Sequence, residues 1–319
     1  MPATKERPIS IYYEHPDWFK PLFAELDRRG THYVKESPAT HRFDPSDAAK
    51  YSLVFNRMSP SAWLRGHAHT IFYTLQYLAN LREQGVRVVN GYDAFTTEIS
   101  KAYQLSLLER LGLPYPRARV IHHASQAFDA AAGLRFPVVV KPNIGGSGAG
   151  IRRFDRPETL KAAAEEGSLE LGIDSTALVQ EFIPTADGKI TRVEVLGGCY
   201  IYAINVYSDG ASFNLCPADA CQTTDGAELE RKACAIDAPK TGLRVEGTTP
   251  PQQQIMDVEN IMKAAGIEVG GIEYMVDARD GKLYYYDINA LSNFVADAPR
   301  VVGMDPFAKL ADYLEQEAR

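Results

Sequence analysis

The hydrophobic positions along this chain change period several times, and each change predicts an element. Residues 9–13 are a short apolar, β-prone run. In residues 17–29, Trp18, Phe19, Leu22, Phe23 and Leu26 recur at helical spacing and Gly30 ends the pattern. Residues 51–55 read as a second strand. A helix then carries Ile71, Phe72, Leu75, Leu78 and Leu81 before a short strand at 86–89. Strands separated by helices predict a parallel or mostly parallel sheet with right-handed crossovers, in a lobe ending near residue 95.

Residues 97–112 repeat the helical spacing through Ile99, Tyr103, Leu107, Leu108 and Leu111, and stop at Gly112 and Pro114. Strands at 118–122 and 137–141 follow, with a helix at 124–132 between them, then a glycine-rich loop and a helix at 157–166. From residue 177 the pattern turns to closely spaced strands, 177–181, 191–196 and 200–206, which predicts an antiparallel sheet. Residues 207–250 are polar and irregular. The chain closes with a helix bearing Ile255, Val258, Ile261, Met262 and Ala265, then a hairpin, then a last helix. That helix takes Asp305 as N-cap and Pro306 at its first position, with Phe307, Leu310 and Leu314 on one face.

Composition narrows the classes. A chain of 319 residues exceeds what one core fills, so two or three lobes are expected. With 34 Lys and Arg against 41 Asp and Glu, the net charge of −7 argues against a general nucleic-acid or membrane-surface binder. Four cysteines are too few for a disulfide scaffold at this length. The polar first residues lack a signal-peptide core, and no run approaches the roughly 20 apolar residues of a membrane helix. The expectation is a soluble, cytoplasmic protein with reduced thiols.

Three constellations could carry chemistry. In Val138–Ile151 a buried strand delivers Lys141 and four glycines follow, among them Gly145, Gly146 and Gly148 around Ser147. Glycine lets backbone N–H groups approach an anion and lysine adds a point charge, which suits a triphosphate. No Gly-Lys-Ser/Thr closes the loop, so it is not a Walker A motif, and a plain turn is the other reading. Second, Asp280-Gly281 between β-prone runs signals a hairpin. A three-residue loop at 279–281 puts Glu273 opposite Asp287, with Asn289 on the face of Asp287. Opposed carboxylates destabilise a sheet unless a dication sits between them, and oxygen-only ligands suit Mg²⁺; a solvated acidic face is the alternative. Third, strand 177–181 runs into an irregular link. There Gln180, Glu181, Phe182 and Ile183 could read and cover an adenine, and Asp187 could accept from a ribose; a plain edge strand is the alternative.

In this order the three constellations resemble the ATP-grasp superfamily, most closely the branch of the ribosomal-protein glutamate ligase (RimK-like). The resemblance runs from about Tyr51 and is strongest over residues 86–121, 137–151, 177–197 and 270–290. It implies an α/β and α+β fold: an N-terminal α/β domain (1–95), a central ATP-grasp lobe with the glycine-rich loop (96–175), and a C-terminal lobe with antiparallel sheet and metal site (176–319). It implies ATP and Mg²⁺ (Mn²⁺ in its place) as cofactors. The implied activity is a carboxylate–amine ligase that activates the acid of an amino acid, peptide or small acid as an acyl phosphate. Lys101, in Glu98-Ile99-Ser100-Lys101, matches the first phosphate lysine and Lys141 the second. Gln180 to Ile183 match the adenine hinge, Asp187 the ribose acceptor, and Glu273, Asp287 and Asn289 the metal ligands. Arg192 stands where the branch carries an arginine facing the reacting phosphate. Dimers and tetramers are common in the family. A small-molecule kinase and a non-catalytic nucleotide-binding regulator are the alternatives.

The chain also departs from the pattern. Ile190 and Thr191 stand where an acidic residue is expected before the arginine, and Ala290-Leu291-Ser292-Asn293-Phe294 replaces a small residue, proline and glycine. Residues 212–221 replace a basic, glycine-rich loop, so the substrate cannot be copied from the glutamate ligase. Cys216, Cys221 and Cys234 could bind a metal or a redox partner, but no histidine lies near them and they fit no zinc spacing; they read as ordinary semi-buried thiols, with a substrate-pocket role for Cys216 or Cys221 as the middle option. In the N-terminal lobe, Arg57 and Arg65 are candidate contacts for a substrate carboxylate, and His67 and His69 begin a helix.

Overall fold

The computed structural model describes residues 7–146, 148–207 and 244–319, apart from the side chain of Asp187. Ser147, Cys216, Cys221 and Cys234 therefore lie outside the described residues. Three sheets organise the chain. The first is parallel, in the order β2-β1-β3-β4, and joins β1 (Ile9–Tyr13), β2 (Tyr33–Glu36), β3 (Leu53–Arg57) and β4 (Val88–Val89). Helices α1 (Lys20–Arg29) and α2 (Ala68–Glu83) are its crossovers. Strand β2 has no clear alternation in the sequence and was not expected.

The expected helix at 97–112 is two helices, α3 (Tyr92–Glu98) and α4 (Lys101–Arg110). Ser100 breaks it: its hydroxyl accepts the Tyr103 N–H at 3.1 Å and caps α4, which puts Lys101 at the first helical position. The Asn143 side chain accepts the Ala102 N–H at 2.8 Å, so the segment after Lys141 is docked on the start of α4.

The second sheet is antiparallel, in the order β5-β8-β6-β7, from β5 (Ala118–Ile121), β6 (Val138–Pro142), β7 (Arg152–Phe154) and β8 (Ala177–Glu181). The helix expected at 124–132 is a short α5 (Ala127–Ala130), and α6 (Pro157–Glu165) packs with it over one face. The spacing of strands predicts 177–181 at the head of the C-terminal sheet. The strand lies instead in the middle of the second sheet, which therefore ends at Glu181 rather than near residue 175. Short links between strands look alike in sequence whether or not the chain changes sheet within them.

The third sheet runs β11-β10-β9-β12-β13 from β9 (Lys189–Leu196), β10 (Cys199–Tyr207), β11 (Arg244–Thr248), β12 (Val269–Val276) and β13 (Leu283–Asn289). On one face Val193, Val195 and Ile272 pack against α4 and α7 (Gln252–Ala265). On the other, Ile204 and Val206 share a core with Phe19, just before α1, with Leu22 of α1, and with Leu310 and Leu314. Those leucines belong to α9 (Pro306–Glu317), which follows the short α8 (Ala298–Val302). Asp305 caps α9 by accepting the Phe307 N–H at 2.9 Å. Each fully buried leucine stabilises this contact between first and last lobes by about 1.5–3 kcal/mol. Among the described residues no helix is long and apolar enough to cross a membrane.

Candidate active site

The antiparallel register sets the centre of the site. Glu273 pairs with Asp287 on one side and with Arg192 on the other, and one step along, Gly271 pairs with Asn289 and with Glu194. The face-to-face acids were expected from a three-residue hairpin loop. The loop has four residues, 278–281, closed by the Asp277 N–H on Lys282 O at 2.8 Å, and a bulge restores the register between Tyr274–Tyr285 and Glu273–Asp287. Tyr286 is the extra residue. The bulge brings it to the cleft wall beside Asp287, and its hydroxyl donates to Glu273 Oε2 at 2.5 Å.

The two acids are compensated by protein cations. Lys101 Nζ donates to Asp287 Oδ1 at 2.7 Å, and Asn289 Nδ2 donates to Asp287 Oδ2 at 3.0 Å. Arg192 Nη1 donates to Glu273 Oε1 at 2.9 Å, and its Nε to Glu194 Oε1 at 2.6 Å. Burial pushes Glu273 above the ordinary carboxylate range, against the pull of Arg192. Burial also pushes Asp287 upward, but Lys101 and then Lys141 outweigh it and hold its carboxyl below that range. A fourth buried acid, Glu98, accepts the Ala290 N–H and is pushed up to about 7, mainly by burial. Glu98 closes α3 on the cleft wall; its place three residues before Lys101 was the only signal for it.

A cleft collects most of the expected nucleotide residues. Lys101 and Lys141 line it with Asp287 and Asn289, and Gly145, Gly146 and Gly148 roof them. Gln180, Glu181 and Ile183 line its far end with Val139 and Met275. The Gln180 amide donates to Pro116 O at 3.4 Å, and Glu181 Oε1 accepts the Arg135 N–H at 2.9 Å. The glycine loop is seated on the N-terminal lobe, where a Cβ on Gly146 would lie 2.6 Å from Ser61 Cβ.

Four expectations change. Phe182, just past the end of β8, leaves the cleft and lies under the Arg153 guanidinium, 4.5 Å from its ring centre. Arg192 is 4% exposed and sits behind the acids rather than on the cleft wall; its acidic partner is Glu194, two residues after it. Gly271 makes room for that pair, since a Cβ there would meet Arg192 Nη2 at 2.8 Å and Glu194 Oε1 at 3.0 Å. Arg57 is 1% exposed and spent on carbonyls, donating to Ala290 O at 3.1 Å and to Ser292 O, so it carries no substrate carboxylate. Arg65 is held by Glu14, which also takes His67 Nδ1 at 2.9 Å. Asp187 lies in a single 3₁₀ turn, Ala186–Gly188.

Asp287 and Asn289 offer oxygens to the cleft, and Glu273 lies directly behind Asp287. This hard, oxygen-only donor set fits Mg²⁺. Glu273 joins only by exchanging a bond to Arg192 or Tyr286. Among the described residues no group of three His, Cys, Asp or Glu side chains forms a denser site.

Comparison with known proteins agrees with this geometry. Residues 99–241 match the RimK-like ATP-grasp domain. The chain is 28% identical over 255 residues to a protein of Vibrio vulnificus named probable alpha-L-glutamate ligase, covering 76% of this chain and 81% of that one. The fold is similar to that of a RimK domain ATP-grasp protein from Sphaerobacter thermophilus, with a TM-score of 0.65, 19% identity and coverage of 96% and 98%. It is likewise similar to the ATP-grasp ligase PsnB, solved with a precursor variant, Mg and ADP, with a TM-score of 0.69, 19% identity and coverage of 99% and 100%.

Proposed function

We propose, on the premise that the chain belongs to the RimK-like ATP-grasp family, that it joins a carboxylate to an amine at the expense of ATP. The observation that carries this reading is the meeting of Lys101 and Lys141 with Asp287 and Asn289 on one wall beneath the glycine loop. A carboxylate oxygen attacks the γ-phosphorus and ADP leaves; the amine nitrogen then attacks the acyl carbon and phosphate leaves. In-line phosphoryl transfer asks for positioning and charge stabilisation more than for a protein nucleophile. Lys141 and Lys101 neutralise phosphate oxygens, Gly145, Gly146 and Gly148 cover them, and Gln180, Glu181 and Ile183 border the base; the expected roles of Ser147 and of the Asp187 side chain fall outside the described residues. Asp287, Asn289 and Glu273 would hold Mg²⁺, or Mn²⁺ in its place, and the ion would spread phosphate charge when bound. Arg192 acts at one remove, by fixing Glu273.

The substrates are an amino acid, a peptide or a similar small acid together with an amine. The reading carries with it a cytoplasmic protein working as a dimer or tetramer. The test is ADP release by the folded protein across a panel of amino acids, peptides and small acids, with the product weighed. An amide product supports ligation, and a stable phosphorylated product points to a kinase. ADP release that survives Lys141→Ala or Asp287→Asn refutes the site, and no release with any substrate refutes the activity.

A further inference from the structure

A second cavity, of about 770 Å³, lies between α1 and the segment 293–307. It adjoins the cleft from two sides. Asn289 lines the cleft and Asn293 lines the cavity; the four backbone steps from one to the other span at most about 14 Å. On the opposite wall the Arg65 guanidinium lies 5.9 Å from the Trp18 ring centre. Arg65 also donates to Ser61 Oγ at 3.3 Å, and Ser61 is the seat of Gly146.

The chemistry of this cavity is distinctive. Its body is apolar, with Trp18, Phe294 and Phe307 as the large walls. Its charged rim is internally matched. Arg28 grips Glu25 through two bonds of 2.8 and 2.7 Å, Lys20 holds Asp17 at 2.6 Å, Arg300 holds Asp297 at 2.5 Å, and Asp305 is spent on capping α9. Among the described residues the aspartates, glutamate and arginine of the rim are all engaged in this way, and His15 lies stacked on Trp18 with ring centres 3.9 Å apart. One polar group points otherwise: Asn293 is 6% exposed and its Oδ1 accepts from Arg57 at 3.4 Å, while its Nδ2 donates to nothing among the described residues. The backbone is bent to present this group. Phe294 has φ of 59° and Asp297 φ of 54°, left-handed conformations that strain a non-glycine residue. This is the stretch that stands in place of a small residue, proline and glycine.

We propose that this cavity holds the body of the organic substrate, and that it selects a peptide-sized molecule with an apolar or aromatic side chain whose backbone carbonyl accepts from Asn293 Nδ2. The inference rests on the ligase reading and deepens it. A glutamate side chain would bring its carboxylate to a rim whose Arg28 is already engaged by Glu25, and a buried charge left without a partner weakens binding. A volume near 770 Å³ suits several residues rather than one free amino acid.

The chain has two tryptophans, so in a Trp63→Phe background fluorescence reports on Trp18 alone. The probes are the tripeptides Gly-Phe-Gly, Gly-Glu-Gly and Gly-Gly-Gly and free phenylalanine, titrated with ATP and magnesium present, with ATP binding followed separately by calorimetry. Gly-Phe-Gly is expected to saturate the Trp18 signal at least tenfold more tightly than the other three. Asn293→Ala and Phe307→Ala are expected to weaken it about fivefold or more, and Phe307→Leu to retain it, with ATP affinity within twofold throughout. Equal or tighter binding of Gly-Glu-Gly, or no response of Trp18 to any tripeptide, overturns the cavity assignment and leaves the ligase reading standing. Failure of the native protein to bind ATP refutes the ligase reading instead, and the fluorescence arm then decides the cavity by itself.

Discussion

Gly271→Ala tests the arrangement behind the acids. Gly271 has ordinary strand backbone, so alanine adds no backbone strain, and its lower unfolded-state entropy favours the fold by about 0.5–1 kcal/mol. The new methyl would lie 2.8 Å from Arg192 Nη2, 2.9 Å from Arg192 Nε and 3.0 Å from Glu194 Oε1. Both side chains are buried, at 5% and 1% exposure, so the pair has no solvent to swing into. Displacing a packed group costs about 1–3 kcal/mol, and breaking a buried ion pair about 3–5 kcal/mol. The balance is a loss of about 2–4 kcal/mol, read as a lower urea midpoint at unchanged slope. Gly91→Ala, whose methyl would meet its nearest neighbours at 3.6 and 3.7 Å, is the control and should cost under about 1 kcal/mol. A Gly271→Ala protein as stable as the native one would refute the idea that the pair is packed against this strand.

Gly146→Ala should raise the KM for ATP about tenfold by lifting the loop from Ser61, and Ser61→Gly in the same chain should restore part of it. Glu98 has a folded value of about 7 against an ordinary 4.5, so the native fold keeps a proton that the unfolded chain gives up. Native stability should therefore fall by about 3 kcal/mol as pH rises from about 4.5 to 7, and urea midpoints of Glu98→Gln should show a flatter profile in that window. Asp287, held low, contributes in a different window: its stabilisation is lost as pH falls below the ordinary aspartate value, and Asp287→Asn should remove that acid limb. EDTA should abolish ADP release while leaving the thermal midpoint of the nucleotide-free protein within about 2 °C, since Lys101 and Arg192 already balance the acids.

Most of the site was legible because it depends on local order. A lysine at a strand end before glycines, and acids at facing positions of a hairpin, are properties of spacing, and spacing is written in the chain. The register survived a wrong loop length only because a bulge at Tyr286 offset the extra residue, and a bulge leaves no period to read. The break between α3 and α4 was written in Ser100, but the apolar positions on either side kept one helical phase and hid it. Strand 177–181 shows the harder limit. Its apolar run predicts a strand correctly, but which sheet receives it is decided by pairing with Val138–Pro142, about forty residues back.

The least legible feature is how the buried charges are shared. Read along the chain, Arg57, Glu98, Lys101, Lys141, Arg192, Glu194, Glu273 and Asp287 are eight scattered ionisable residues. In the fold all eight are largely buried, four of each sign. Opposed carboxylates seemed to require a metal between them, since like charges facing across strands destabilise a sheet. That inference omitted the neighbours that pairing brings in: Arg192 from the next strand and Lys101 from a helix start. The acids are thus balanced before any ion arrives, and an incoming dication competes with Lys101 for Asp287 and with Arg192 for Glu273. Magnesium binding as proposed would then displace protein cations from the acids, and Lys101 so released would lie on the cleft wall beside Lys141, where phosphate oxygens are expected. Metal and nucleotide should accordingly bind with positive coupling. An equal magnesium affinity with and without a non-hydrolysable ATP analogue, measured by calorimetry, would sink that account.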